Sequence, residues 1–206
     1  MNNYTEKLKE IFTNRYNSQH TPWTHDESLD YTTVFAFNKL TNNLKNKNIN
    51  ILDIGCGNGR HAKYFNNLNY TGIDLVYNDN WSILSKNKKI NFIMTSFLEF
   101  NAKDNYKYDL ILDNGCLHHQ SPLYFNNYLK KVRNLMNDKH SIYSLVVWNE
   151  QFCEYNIDHE GRYHHFFSSQ EISSLLFENF LKVIDIKNIK AKNDIMQLHI
   201  MSQIME

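Results

Sequence analysis

From residue 49 onward the chain repeats one unit, a short run of Ile, Leu and Val followed by a polar stretch. "INILDI", "YTGIDL", "INFIMT", "YDLILD" and "HSIYSLVVW" are runs of this kind. They are too short for buried helices and too uniformly apolar for half-exposed strands, so each reads as a strand covered on both faces. Polar, helix-compatible segments separate the first four, and "QSPLYFNNYLKKVRNLM" carries helical spacing before the fifth. Strand, crossover, strand at this pitch predicts right-handed connections and a parallel sheet of the α/β class. After "SSQEISSLLFENF", a helix with Ser168 or Ser169 as N-cap and Glu171 in its first turn, come "LKVIDIKNI" and "MQLHIMSQI". These two alternate apolar and polar residues across a short connection, which predicts a C-terminal antiparallel hairpin.

Glycine placement points to the edge of that sheet where a ligand would lie. There are only six glycines. Gly55, Gly57, Gly59 and Gly115 follow the carboxyl ends of the first and fourth strands, Gly72 lies inside the second, and Gly161 falls after the fifth. Open α/β sheets bind ligands at their carboxyl edge, where backbone must turn sharply or approach a ligand closely.

The densest group is "ILDIGCGNGRHAKYF", a strand, a glycine turn and a predicted helix. Asp53-Ile54-Gly55-Cys56-Gly57-Asn58-Gly59 has the form acidic-x-Gly-x-Gly-x-Gly. A dinucleotide fingerprint would bring its third glycine one residue later. A carboxylate before the first glycine repels a pyrophosphate and suits a cationic or amine-bearing ligand. This motif resembles the first motif of the class I S-adenosylmethionine-dependent methyltransferases, and the resemblance covers roughly residues 49–204. It implies a Rossmann-like three-layer sandwich with a mostly parallel seven-stranded sheet, S-adenosyl-L-methionine as cofactor and S-adenosyl-L-homocysteine as product. By the same resemblance, Asp53, Gly55, Cys56 and Gly57 cradle the amino-acid portion and ribose. Asp74, 21 residues after Asp53, is bidentate to the ribose hydroxyls, and Leu75 packs on the adenine. Ser96 and Phe97 stand where the family often has an aspartate and an apolar residue, so the contact to the adenine amino group is either absent or made by the serine hydroxyl. Asp113 and Asn114 reach the cofactor edge beside the transferring methyl.

"YDLILDNGCLHH" leaves its histidines with several roles. Cys116, His118 and His119 are too close in sequence to converge tetrahedrally on one ion, and no second Cys/His pair stands at finger spacing, so no metal is expected. Each histidine is either a packed core residue or a group at the mouth of the acceptor site. In the second role His119, and after it His118, orients the acceptor or takes its proton, which suits an imidazole near neutral pH. Asn114 does not open an Asn-Pro-Pro-aromatic signature, which counts against nucleic-acid bases and glutamine as acceptors. In "DHEGRYHHFFSSQEI", Arg162, Tyr163 and His164 either line the acceptor site or are solvated loop residues.

The first 48 residues read as a helical N-terminal unit, with residues 49–206 as the methyltransferase domain. Helical spacing runs through "YTEKLKEIF" and "DYTTVFAFNKLTNNL", broken by "HTPWTHDES" with Pro22. The Pro-Trp segment resembles one in the thiopurine- and tellurite-resistance branch, where the tryptophan lies near the cofactor. Trp23 and Tyr31 would then form a lid that excludes water, or Trp23 simply pins the helices to the sheet.

Lys+Arg and Asp+Glu are 22 each, so no broad basic surface for nucleic acid is expected. No apolar run reaches the ~18–20 residues of a membrane span. "MNNYTEKLKE" has no signal-peptide core, and three separated cysteines suit a reducing compartment, so a cytoplasmic chain is expected. A short, neutral chain favours a small-molecule or short-peptide acceptor, acting as monomer or homodimer. A protein or RNA methyltransferase borrowing specificity from a partner subunit, and a silent cofactor-binding module, remain the other readings.

Overall fold

The computed structural model describes residues 3–42, 48–103, 106–150, 155–191 and 195–205. Its elements are α1 (Asn3–Asn17), α2 (Glu27–Thr41), β1 (Asn50–Ile54), β2 (Asn69–Asp74), α3 (Asn80–Leu84), β3 (Ile90–Met94) and β4 (Leu110–Asn114). They continue with α4 (Phe125–Leu135), β5 (Ile142–Trp148), β6 (Tyr155–Ile157), β7 (Tyr163–His165), α5 (Ser169–Glu178), β8 (Leu181–Lys190) and β9 (Met196–Ile204). Seven strands form one sheet in the order β3-β2-β1-β4-β5-β9-β8, while β6 and β7 make a separate ribbon. β1 to β5 run parallel, and β9 is antiparallel to both β5 and β8. This is the Rossmann-like sheet with its antiparallel end. The strand order reverses between β1 and β4, so the ligand crevice opens there.

Period-two alternation sends each strand's side chains to both faces. Leu52, Ile54, Ile111, Tyr143 and Leu145 pack under α4 and α5, against Tyr128, Leu129, Val132, Ile172 and Leu176. Ile51, Leu110, Leu112 and Ile142 pack on the opposite face against Ala36 and Leu40 of α2, with Ala62 and Phe65. α4 buries Phe125, Tyr128, Leu129, Val132 and Leu135, a single apolar stripe at helical spacing. A fully buried leucine such as Leu129 is worth roughly 1.5–3 kcal/mol, so that stripe is what fixes the helix to the sheet. The caps follow the sequence: Ser168 Oγ accepts from Glu171 N at 3.1 Å, starting α5. Asp26 accepts from Ser28 N at 3.0 Å, starting α2.

The crossovers among the first four strands are thinner than the sequence suggests. The first holds a 3-10 stretch, Arg60–Phe65, and the second only the five-residue α3. The third shows no α-helix among the described residues. Asparagine explains the first two: the side-chain oxygens of Asn58, Asn78 and Asn87 accept from the backbone N–H two residues on. Such Asx turns compete with helical hydrogen bonds. Among the described residues no helix is long and apolar enough to cross a membrane.

Candidate active site

A cavity of about 240 Å³ lies over the carboxyl ends of β1 to β5. Its roof is α1, which turns Thr5, Leu8, Phe12, Arg15 and Tyr16 toward it. Tyr4 ties that roof down: its hydroxyl donates to the His119 carbonyl at 2.7 Å and accepts from Tyr163 N at 2.9 Å. Arg15 adds an ion pair with Glu160.

At one end of the cavity the floor is backbone. Gly55 has φ +67°, and a Cβ added there would lie 2.0 Å from Cys116 Sγ, so only glycine fits. Asp74, at the end of β2, lines the cavity, and its carboxylate accepts from Gly57 N at 2.9 Å and Val76 N at 3.0 Å. Burial pushes its pKa up to about 6, against the lowering effect of those N–H groups. Trp81 braces the loop by donating to the Gly57 carbonyl at 2.8 Å and stacking on Phe92 at 5.2 Å. Leu75, Thr95, Ser96, Phe97 and Leu98 complete this end.

The other end is aromatic. His118 stacks on Trp148 at 4.2 Å and 17°, and Trp148 on Phe166 at 5.3 Å and 25°. Phe12 meets His119 edge-on at 6.0 Å. The histidines form a chain of hydrogen bonds whose tautomers the partners dictate. Trp148 N donates to His118 Nδ1 at 3.3 Å, so that nitrogen accepts and the proton sits on Nε2. His118 Nε2 lies 3.2 Å from His119 Nε2, which therefore accepts, and His119 Nδ1 donates to the Tyr163 carbonyl at 2.9 Å. All four ring nitrogens are engaged. Burial drives both imidazoles well below their ordinary pKa, so both are neutral at pH 7.

Of the residues singled out in the sequence, Gly55, Asp74, Leu75, Ser96, Phe97, Asn114, Trp23, His118, His119 and Arg162 line this cavity. Asp53, Cys56, Gly57, Asp113, Tyr31, Tyr163 and His164 do not. The two aspartates point to opposite faces of the sheet. Asp53 accepts from Tyr70 Oη at 2.7 Å and sits 3.2 Å from His61 Nδ1. Asp113 accepts from Tyr128 Oη at 2.7 Å, Tyr143 Oη at 3.0 Å and Cys116 N at 2.7 Å. Strand alternation placed both in the layers beneath the loops rather than at the crevice. Cys56 is buried beneath the loop against Gly72, and Gly57, whose N–H holds Asp74, faces the Tyr16 hydroxyl. Tyr31 stands 55% exposed and stacks on Phe35. Tyr163 presents only its carbonyl to His119, and His164 is paired with Asp158 at 3.0 Å. Burial lowers the His164 pKa to about 4.

Sequence reasoning passed over Arg60. Its guanidinium donates to the carbonyls of Trp23 at 2.8 Å, Thr24 at 2.9 Å and Asp26 at 2.8 Å, and pairs with Asp30. That clamp fixes the 3-10 turn Pro22–His25 and carries Trp23 to the cavity rim, where it meets Phe12 and Tyr16 edge-on. Its position one residue past the third glycine was the only available signal.

A family model described as a methyltransferase domain matches residues 27–185. No curated protein matches the sequence. Among solved structures the chain is similar to 1,6-didemethyltoxoflavin-N1-methyltransferase of Burkholderia thailandensis, solved with 1,6-didemethyltoxoflavin and S-adenosylhomocysteine bound. That likeness has a TM-score of 0.90 at 22% identity and covers 98% of this chain and 89% of that one. An S-adenosylmethionine-dependent methyltransferase from Clostridium acetobutylicum ATCC 824 aligns at a TM-score of 0.66 and 13% identity, over 95% of this chain and 100% of that one. The [4+2]-cyclase SpnF aligns at 0.66 and 12% identity, over 85% of this chain and 81% of its own. At such identities the solved structures speak for the fold, and the family model speaks for the class. The chain belongs to the methyltransferase domain family and is a class I S-adenosylmethionine-dependent methyltransferase.

Proposed function

We propose that this methyltransferase acts on a small, planar aromatic molecule, held between α1 and the loops after β4 and β5. The observation that carries this reading is the aromatic wall of Trp148, His118, His119 and Phe12 at one end of a roofed cavity. These rings pack on one another as one aromatic surface of the cavity, and such a surface favours a flat aromatic guest by ring contact and by apolar burial. The bound 1,6-didemethyltoxoflavin of the Burkholderia enzyme supports a small-molecule acceptor.

The opposite end fits the cofactor. At Gly55, where a Cβ would collide with Cys116 Sγ, the cavity floor is bare backbone that a ligand can approach closely. The Asp74 carboxylate, oriented by two N–H groups, has lone pairs left for a ribose diol. Leu75 and Phe97 would pack on the adenine, and Ser96 would face its amino group. When bound, S-adenosylmethionine supplies an electrophilic methyl on its sulfonium. The chain's own part is to hold an acceptor atom in line with that methyl, worth several kcal/mol of the barrier, and to keep water out with α1 and Trp23. His119 orients the acceptor in this reading: with its Nε2 lone pair already accepting from His118, it is a poor base.

The test is to incubate the protein with methyl-labelled S-adenosylmethionine and a cell extract split into low-molecular-mass, protein and RNA fractions. Label should enter the low-molecular-mass fraction and vanish with Asp74→Ala. Label confined to protein or RNA sinks the small-molecule reading, and cofactor binding with no label transferred to any fraction points to the silent-module reading.

A further inference from the structure

We propose that Arg162 selects acceptors whose aromatic ring bears an exocyclic oxygen able to carry negative charge, as in a lactam, an imide or an enol. This rests on the planar-acceptor reading and adds the chemistry of the ring's edge. Arg162 is only 6% exposed, lines the cavity, and lies with its guanidinium carbon 5.6 Å over the Phe12 ring at the aromatic end. Of its five N–H donors, Nε is bound to Asp158 Oδ2 at 3.1 Å, and no described residue takes a hydrogen bond from the two terminal nitrogens. Asp158 has little left to give: its carboxylate also accepts from the N–H groups of Glu160 and Arg162 and lies 3.0 Å from His164 Nε2.

The terminal nitrogens are not among the sealed, unpartnered polar atoms of the described residues, so an acceptor atom that enters the cavity can take their hydrogen bonds. The described acids lining the cavity are Asp26 and Asp74. Asp26 is occupied capping α2, and Asp74 lies beside the glycine loop at the cofactor end. The positive field of Arg162 reaches both cavity histidines, helping to keep them neutral, so among the described residues no charged group of the cavity meets the fork, and a guest can. Planar donors match a carbonyl or enolate oxygen in geometry and charge. The transfer then balances simply. A ring N–H or O–H loses its proton to bulk water as the guest enters the cavity, and Arg162 holds the resulting anion. When bound, S-adenosylmethionine would supply the methyl to a ring lone pair, its C–S electron pair staying on sulfur in S-adenosylhomocysteine.

The experiment titrates protein loaded with S-adenosylhomocysteine with two bicyclic probes, lumazine (pteridine-2,4-dione) and quinoxaline, which lacks exocyclic oxygens. Lumazine should bind at least about tenfold tighter, as one charge-assisted hydrogen bond implies. Arg162→Gln should bring that ratio close to one, Arg162→Lys should retain part of it, and both should keep their affinity for S-adenosylhomocysteine. An unchanged ratio in Arg162→Gln, with both rings binding, overturns this proposal alone. Loss of S-adenosylhomocysteine affinity with the ring ratio intact also overturns it, because the fork would then belong to the cofactor's carboxylate. If neither ring binds the loaded protein, the planar-acceptor reading falls with it.

Discussion

Lowering the pH from 7.5 to 5 should weaken cofactor binding by about tenfold, through Asp74. Burial holds the free carboxylate at a pKa of about 6, and the ribose hydroxyls need its ionised form as acceptor. At pH 7.5 nearly all of it is ionised. At pH 5 only about one molecule in eleven is, so the apparent Kd rises about elevenfold, or ~1.4 kcal/mol. The sign follows from linkage: binding favours the ionised carboxylate, so it releases close to one proton at pH 5 and almost none at 7.5. Calorimetry with S-adenosylhomocysteine in buffers of different ionisation heat measures both quantities. Asp74→Asn should flatten the profile and lower affinity at pH 7.5 by about 10–150-fold, the worth of one charge-assisted hydrogen bond. An affinity that stays constant from pH 5 to 8 in folded protein, or a slope that survives in Asp74→Asn, would refute the reasoning.

Three further outcomes are expected. Nitrogen NMR should find His118 protonated at Nε2 and His119 at Nδ1, both still neutral at pH 6.5, where an unperturbed imidazole is half protonated, because burial drives their pKa values well below the ordinary range; a half-protonated ring at pH 6.5 would contradict the hydrogen-bond chain. Gly55→Ala places a Cβ against Cys116 Sγ at φ +67°, so cofactor affinity should fall at least about tenfold, with Cys116→Ala restoring only part because the ~1–2 kcal/mol backbone strain persists. Arg60→Met strips three carbonyls and Asp30 of their partner, which should cost about 2–4 kcal/mol in urea unfolding; an unchanged midpoint would show that the clamp contributes nothing.

The strands were readable because burial on both faces leaves an unbroken apolar run, and β1 to β5, β8 and β9 all fall on such runs or on alternating ones. The glycine loop was readable because only glycine tolerates its backbone. The crossovers were not, since the polar spacing that permits a helix also accommodates Asx turns at Asn58 and Asn78. Within the site, sequence order located the loops but not the direction of each side chain. Asp53 and Asp113 look equally suited to the crevice until the pleat turns one toward Tyr70 and the other toward Tyr128. Arg60 escaped notice because its carbonyl partners lie 34 to 37 residues upstream. The histidine chain escaped because it closes through the backbone of Trp148 and Tyr163, from two other elements.

The chain has three tryptophans, and all of them stand at this site. Trp23 and Trp148 line the cavity, and Trp81 holds the carbonyl of Gly57 beneath the glycine loop. Tryptophan emission, excited beyond the absorption of the tyrosines, therefore originates entirely within reach of the bound molecules, without a distant background. An acceptor in contact with Trp148 should quench one component of that emission, while cofactor seated on the loop should shift another through Trp81. The protein carries its own optical reporter for both halves of the reaction, readable without a label and before the acceptor has been named.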